Sequence, residues 1–347
     1  MPKGILNINK EKGISSARVV SLVRRALGMK KVGHTGTLDF EASGVLPIVV
    51  GKATRISDYM MTKDKTYETE LILGSKTDTL DAAGEIIGKS DKKVSKEEFL
   101  EAMNTFKGEI EQIPPMYSAL KVDGKKLYDL AREGIEIERK VRKVTIYDIK
   151  LIDFDFPKAT IRVTCSKGTY IRTLVDDIGE KLGTYAYVNE LIRTRVGDFD
   201  IKDAIKSEDI LKFPKSDIIE SMQPIDFALK DFDKIILNKK YLDNLVNGQV
   251  VEVEKNLDKT VRVYAEDDFV GLGKNYSENG KNFLKMEKVF YERADKNIWF
   301  KLWPTRSWKK GGIPWIFWRS PPRPPKTYEK KRRLIKKVWL HSFNSSF

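Results

Sequence analysis

Residues 159 to 165, ATIRVTC, alternate apolar and polar side chains with the period of a strand. Four residues later the period has changed. After SKGT, the run YIRTLVDDIGEKLG sets Ile171, Leu174, Val175, Ile178 and Leu182 at helical spacing, and Gly183 supplies a stop. The same switch recurs upstream. YETELIL at 67–73 alternates Tyr67, Thr69, Leu71 and Leu73 against two glutamates, as a half-buried strand does. Ser16 is positioned to cap a helix over Ala17–Leu27, with Val19, Val20, Val23 and Leu27 on one face and Gly28 ending it. Ser95 with Glu98 has the form of a capping box ahead of Phe99, Leu100, Met103 and Phe106. These elements interleave without regular βαβ spacing, which favours an α+β fold over a parallel doubly wound sheet. From about residue 229 to 290 short β-like runs separated by Asn, Asp and Gly predict a second, small β-rich domain. Residues 1–228 are expected to form the main domain.

At 347 residues the chain can bury a sizeable core. No apolar run approaches the length of a bilayer span, and the N-terminus lacks a signal-peptide h-region. A single cysteine, Cys165, excludes an internal disulfide framework and fits a reducing compartment. One Cys and two His argue against a Cys/His zinc site, and no metal is expected. The expected location is the cytoplasm, with no membrane partner. Nothing in the pattern signals oligomerisation, so a monomer is expected.

The net charge of +14 is unevenly placed. Residues 291–347 hold 15 Lys/Arg against 3 Asp/Glu, which leaves the first 290 residues with 49 basic and 47 acidic side chains. A nucleic-acid site in the body must therefore come from local clustering, not from net charge. The tail also holds all six tryptophans and six of the 13 prolines. It reads as a disordered basic tail, as an RNA- or membrane-associating arm, or as out-of-frame or read-through sequence. The last is preferred, because its residue usage matches nothing upstream.

The stretch GHTGTLDFEASGVLP at 33–47 sets His34, the only histidine before residue 341, five residues ahead of Asp39 in a glycine-rich loop. It is neither a Walker loop nor a dinucleotide fingerprint. Alone, Asp39 would most often be a turn former and His34 a hydrogen-bonded structural residue.

Taken with its surroundings, GHTGTLDFEASGVLPIVVGKATR resembles the signature of the bacterial tRNA pseudouridine-55 synthases, the TruB type. Further blocks follow in that family's order. They are GILNINKEKGISS at 4–16, DKTYETELILGSKTDTLDAAGE at 64–85, IPPMYSALKVDGKKLYDLAREG at 113–134, SKGTYIRTLVDDIGEKLG at 166–183 and ELIRTRVG at 190–197. Residues 231–289 resemble the family's C-terminal domain, which is similar to a PUA module. The resemblance implies a mixed, largely antiparallel central sheet with flanking helices. It also implies isomerisation of uridine-55, in the T-loop of tRNA, to pseudouridine, without a cofactor. Departures are Phe40 and Glu11 where proline is usual, Val141 in place of a common proline, and Ile192 at a position often held by Arg.

By the same resemblance Asp39 is the catalytic carboxylate and Arg172 its cationic partner. Tyr67 stacks on the uracil, Tyr170 and Leu191 line the pocket, and His34 holds nucleotides turned out of their stack. Without it, each would default to core, surface charge or turn. Lys10, Lys12, Lys30, Lys31, Lys52, Arg55, Lys63 and Lys65 are candidate phosphate contacts. The competing readings are a binding protein without turnover, a guide-RNA-dependent synthase, and a glycosidic hydrolase, which would need a second placed acid.

Overall fold

The computed structural model describes residues 1–118, 120–122, 124–257 and 259–293. The tail beyond residue 293, on which the basic-arm, disordered and read-through readings fall, lies outside the described residues. The chain divides into two compact units, Met1–Asp233 and one that begins at Lys234.

Unit 1 holds fourteen strands: β1 (Gly4–Lys10), β2 (Val32–His34), β3 (Ser43–Val50), β4 (Lys65–Leu73), β5 (Ser75–Thr77), β6 (Ile86–Lys89), β7 (Gly108–Gln112), β8 (Lys121–Val122), β9 (Lys125–Lys126), β10 (Arg142–Asp155), β11 (Lys158–Cys165), β12 (Ala186–Val196), β13 (Phe199–Asp200) and β14 (Ile205–Lys206). Its helices are α1 (Ser16–Leu27), α2 (Ser57–Met61), α3 (Lys96–Asn104), α4 (Leu127–Arg132), α5 (Ile171–Leu182) and α6 (Lys215–Glu220). Ten strands make one sheet in the order β14-β1-β3-β12-β4-β11-β10-β7, with β2 on β3 and β13 on β12. Among the described residues of this sheet only β1–β14 and β3–β12 pair in parallel. This is the α+β arrangement that the interleaved periods predict, and the antiparallel majority follows from the short connections that hairpins allow.

Two apolar clusters fix the helices on the sheet. In one, α3 and α5 bury Phe99, Leu174, Val175 and Ile178 against Leu71, Ile161 and Val163. In the other, α1 buries Val19, Val20, Val23 and Leu27 against Leu6, Ile8, Leu46 and Ile48. Tyr67 and Leu191 pack against both clusters. The capping box at α3 is present in full, with Ser95 and Glu98 each satisfying the other's backbone N–H. At α1 the cap is not Ser16 but Ser15, whose hydroxyl accepts from the Arg18 N–H. Ser16 instead turns inward, because its hydroxyl is needed elsewhere.

The described residues of unit 2 form a five-stranded sheet in the order β15-β17-β18-β19-β16, built from β15 (Lys234–Leu237), β16 (Val251–Glu252), β17 (Thr260–Ala265), β18 (Asp268–Glu278) and β19 (Lys281–Val289). Among its described residues the short helix α7 (Leu242–Val246) buries Leu245 against Val261, Val263 and Leu284.

Candidate active site

Asp39 sits in the loop between β2 and β3, and that loop is held from several directions. The inward Ser16 hydroxyl accepts from the Leu38 N–H at 3.0 Å and donates to the Leu38 carbonyl at 3.1 Å. The Thr35 N–H and hydroxyl both donate to the Pro47 carbonyl. Lys10 is fully buried, and its ammonium donates to the carbonyls of Glu11 and Ile14 at 2.9 Å and of Phe40 at 3.3 Å. The Gly13 N–H also donates to the Phe40 carbonyl. The backbone at Phe40 is thus clamped through its oxygen, without the ring of a proline, while its own side chain is 56% exposed. Lys10 is therefore no surface phosphate contact. Burial pushes its ammonium down to about 8 despite the nearby Asp39 carboxylate. Lys65 is likewise buried, donating to the Met61 and Lys63 carbonyls, and is also lowered to about 8, chiefly by burial. Lys63 pairs with Asp231.

Strand register brings the next residues into line. Tyr67 on β4 lies opposite Arg193 on β12, and Arg193 lies opposite Gly44 on β3. Leu191, two residues before Arg193, shares its face. A side chain at position 44 would have no room. Gly44 has φ +110°, and a Cβ there would come within 2.2 Å of the Arg193 carbonyl oxygen. Arg193 is 3% exposed; it donates from Nε to the Val45 carbonyl at 2.7 Å and from Nη1 to the Thr37 carbonyl at 3.3 Å. It also hydrogen-bonds the Tyr67 side chain, whose phenol is pushed up by burial. Arg193 thus ties the Asp39 loop to the sheet, a role that the sequence reading missed. The available signal was its shared strand parity with Leu191.

Arg172 enters from the first turn of α5. It is 5% exposed, and its Nη2 meets Asp39 Oδ2 at 2.9 Å. Its other contacts are Asp81 Oδ2 at 3.4 Å and the carbonyls of Thr79 at 2.9 Å and Tyr117 at 2.7 Å. A helix N-terminus does not favour a cation. Two carboxylates and two carbonyls offset that cost. Asp81 is oriented by the Thr79 hydroxyl and the Ala83 N–H, both bonded to its other oxygen. Its loop passes through Leu80 at φ +61°.

Asp39, Arg172, Asp81 and Leu191 line one open cleft, with Lys12, Glu41 and Asn189 at its rim. The Asp39 side chain keeps 45% of its surface exposed there. Tyr67 reaches the group through Arg193. Tyr170, the residue preceding α5, is half-buried, exchanges backbone hydrogen bonds with the Gln112 amide, and its phenol is raised by burial. His34 ends β2 and is not in the cleft lining. The Gly36 N–H donates to its Nδ1 at 3.4 Å, and burial, then Arg193, lower its imidazole, so the ring is neutral at neutral pH. The arrangement offers one solvent-facing carboxylate, oriented by a buried cation, beside an apolar wall; like His34, Tyr67 and Tyr170 are not in the cleft lining. Among the described residues no cluster of His, Cys, Asp and Glu is set to hold a metal.

Comparison with known proteins bears on the family of the chain. A family model described as the N-terminal domain of TruB family pseudouridylate synthases matches residues 24–171. One described as the tRNA pseudouridylate synthase B C-terminal domain matches residues 172–237. The tRNA pseudouridine synthase B of Clostridium kluyveri is 46% identical over 294 residues, 83% of this chain and 99% of the relative. That of Clostridium acetobutylicum is 48% identical over 289 residues, 82% and 99% respectively. Among solved structures, a Cbf5–Nop10–Gar1 complex superposes with a TM-score of 0.65 at 27% identity, over 83% of this chain and 85% of that one. An H/ACA RNP bound to a substrate RNA containing 2′-deoxyuridine gives 0.65 at 25% identity, over 84% and 86%. With the carboxylate, its arginine and the flanking strands all falling inside the matched segments, the chain belongs to the TruB family of pseudouridylate synthases.

Proposed function

We propose that the protein isomerises a T-loop uridine of tRNA, uridine-55, to pseudouridine, with Asp39 as the catalytic carboxylate. The N1–C1′ bond breaks, the uracil turns, C5 bonds to C1′, the C5 hydrogen leaves as a proton, and N1 gains one. Nothing is oxidised and no group is added, so the reaction needs no cofactor. The observation that carries the reading is the 2.9 Å contact between a solvent-facing Asp39 and a buried Arg172. It supplies a carboxylate of fixed direction at the mouth of a cleft, where a nucleophile for covalent catalysis has to stand.

A uridine in a folded RNA reaches such a group only after leaving its stack, at a cost of a few kcal/mol. In this reading Tyr67 stacks on the flipped uracil, and Leu191 forms the apolar wall. Tyr170 closes the pocket from the α5 side. Arg172 holds Asp39 in place while water leaves. His34, neutral and at the end of β2, packs against displaced nucleotides and does not act as a base. Residues 1–228 carry the reaction, and the β-rich residues 229–290 form a PUA-like RNA-binding domain. The enzyme acts as a cytoplasmic monomer. Tritium release from a tRNA transcript labelled at C5 of uridine tests the reading. About one tritium released per tRNA, from the T-loop and absent in Asp39→Asn, is expected. Retained binding of tRNA without release by the wild type would replace the reading with that of a binding protein.

A further inference from the structure

The longest stretch of the near-neutral body without an acidic residue lies near its N-terminus. From Lys12 to Leu38 there is no Asp or Glu, while Lys12, Arg18, Arg24, Arg25, Lys30 and Lys31 all fall within it. The fold gathers most of these on one surface. With Val19, Val20, Val23 and Leu27 buried, α1 turns Arg18, Ser21, Arg24 and Arg25 outward. Arg18 and Arg25 are two turns apart on the same stripe, about 10 Å along the axis. Lys30 and Lys31, both exposed, continue the surface through the turn into β2. Arg24 fixes that turn by donating to the Val32 carbonyl at 2.9 Å. Ser21, Arg24, Arg25, Gly28, Met29 and Lys30 line a shallow groove there. The Lys215 ammonium of α6 reaches its end at Gly28.

Among the described residues none of Arg18, Arg25, Lys30 or Lys31 makes an ion pair, whereas the lysines at the far edge of the sheet do. There Lys107 pairs with Asp148, Lys143 with Glu109 and Lys150 with Asp148. Like charges collected without counter-charges repel one another, and a polyanion is the partner that offsets this. The surface is also one piece with the catalytic loop. Lys31 leads into β2 and His34, and Ser16 at the start of α1 holds Leu38, the neighbour of Asp39.

We propose that Arg18, Arg25, Lys30 and Lys31 seat the phosphate backbone of the substrate tRNA at a distance from the flipped uridine. The surface holds the RNA in register with Asp39 and takes no part in the bond changes. This rests on the tRNA reading above. The test is the triple variant Arg25→Gln, Lys30→Gln, Lys31→Gln. A control of equal charge change at the paired far edge is Lys107→Gln, Lys143→Gln, Lys150→Gln. Tritium release from tRNA is measured across a salt series, with KM and kcat separated. Phosphate contacts release counterions, with a slope of about 0.7–0.9 per contact. The triple variant is therefore expected to raise KM on the order of tenfold at low salt, to flatten the salt slope by about 2, and to leave kcat unchanged. The control should change neither.

An unchanged KM and slope would overturn the proposal. So would an equal loss in the control, or a loss confined to kcat. If the triple variant melts lower than wild type, Lys30→Gln, Lys31→Gln, which lies outside the helix, carries the same readout at a smaller amplitude. Absence of release by the wild type would refute the tRNA-isomerase reading instead. In that case Kd for tRNA by filter retention still decides the surface, and equal Kd values for wild type and triple variant would overturn it.

Discussion

Replacing Arg172 by methionine removes a guanidinium that serves four acceptors from a nearly fully buried position. The Thr79 and Tyr117 carbonyls lose charge-assisted donors at 2.9 and 2.7 Å, and Asp81, 16% exposed at its side chain, loses its cation. The Asp39 contact counts for less in stability. Its carboxylate is 45% exposed, and water screens it to about the surface value of 1 kcal/mol or below. Breaking a buried pair by removing one partner costs about 3–5 kcal/mol. In a unit of this size that corresponds to a fall in melting temperature of roughly 10 °C. The rate should suffer separately, because Asp39 loses the group that sets its direction, and small misplacements cost on the order of 10²-fold. The assay is a circular dichroism melt paired with single-turnover tritium release at a temperature where both proteins are folded. Arg172→Lys keeps the charge but lacks the planar fork, and should fall between the two in both readouts. A methionine variant that melts within about 2 °C of wild type would refute the argument that Arg172 is a structural hub. A folded variant with an undiminished single-turnover rate would refute its control over Asp39.

His34→Ala should slow turnover on folded tRNA far less than Asp39→Ala; equal, complete loss in both would remove the division of roles between them. The depressed His34 imidazole also sets a pH sign. Between its folded value and the ordinary 6.5, the unfolded chain binds more protons, so this contribution is full above pH 6.5 and lost as pH falls through that window. Urea titrations of wild type and His34→Asn should therefore converge as the solution is acidified through it. Gly44→Ala places a Cβ 2.2 Å from the Arg193 carbonyl at φ +110°, and the soluble yield or melting temperature should collapse, since the strain of such backbone alone is about 1–3 kcal/mol. Ser95→Ala, which removes one half of the capping box at α3, should cost about 1 kcal/mol and leave tritium release unchanged.

The elements of this protein were legible in its residues because local patterning decides them. The alternation in YETELIL and ATIRVTC, the helical spacing of YIRTLVDDIGEKLG, and the Ser95–Glu98 pair all act within a few residues of chain. The order of the motifs likewise pointed to Asp39, Tyr67, Tyr170, Arg172, Leu191 and His34. What the sequence could not decide was direction and depth. Ser15 and Ser16 are equivalent to a local rule, and only the nearby Leu38 backbone selects which one turns inward. Lys10 and Lys65 read as surface charges because, although most of the carbonyls that accept from them belong to residues one to four positions away, only the packed fold buries the two side chains and turns those carbonyls onto their ammonium groups. Arg193 lies 154 positions from Asp39, and strand register alone brings it under the Asp39 loop. The sequence by itself determined which elements form and which residue types the reaction has at hand. The tertiary structure decided which charges are buried, which are paired and which face solvent, because burial and pairing depend on contacts between distant segments that no local pattern encodes.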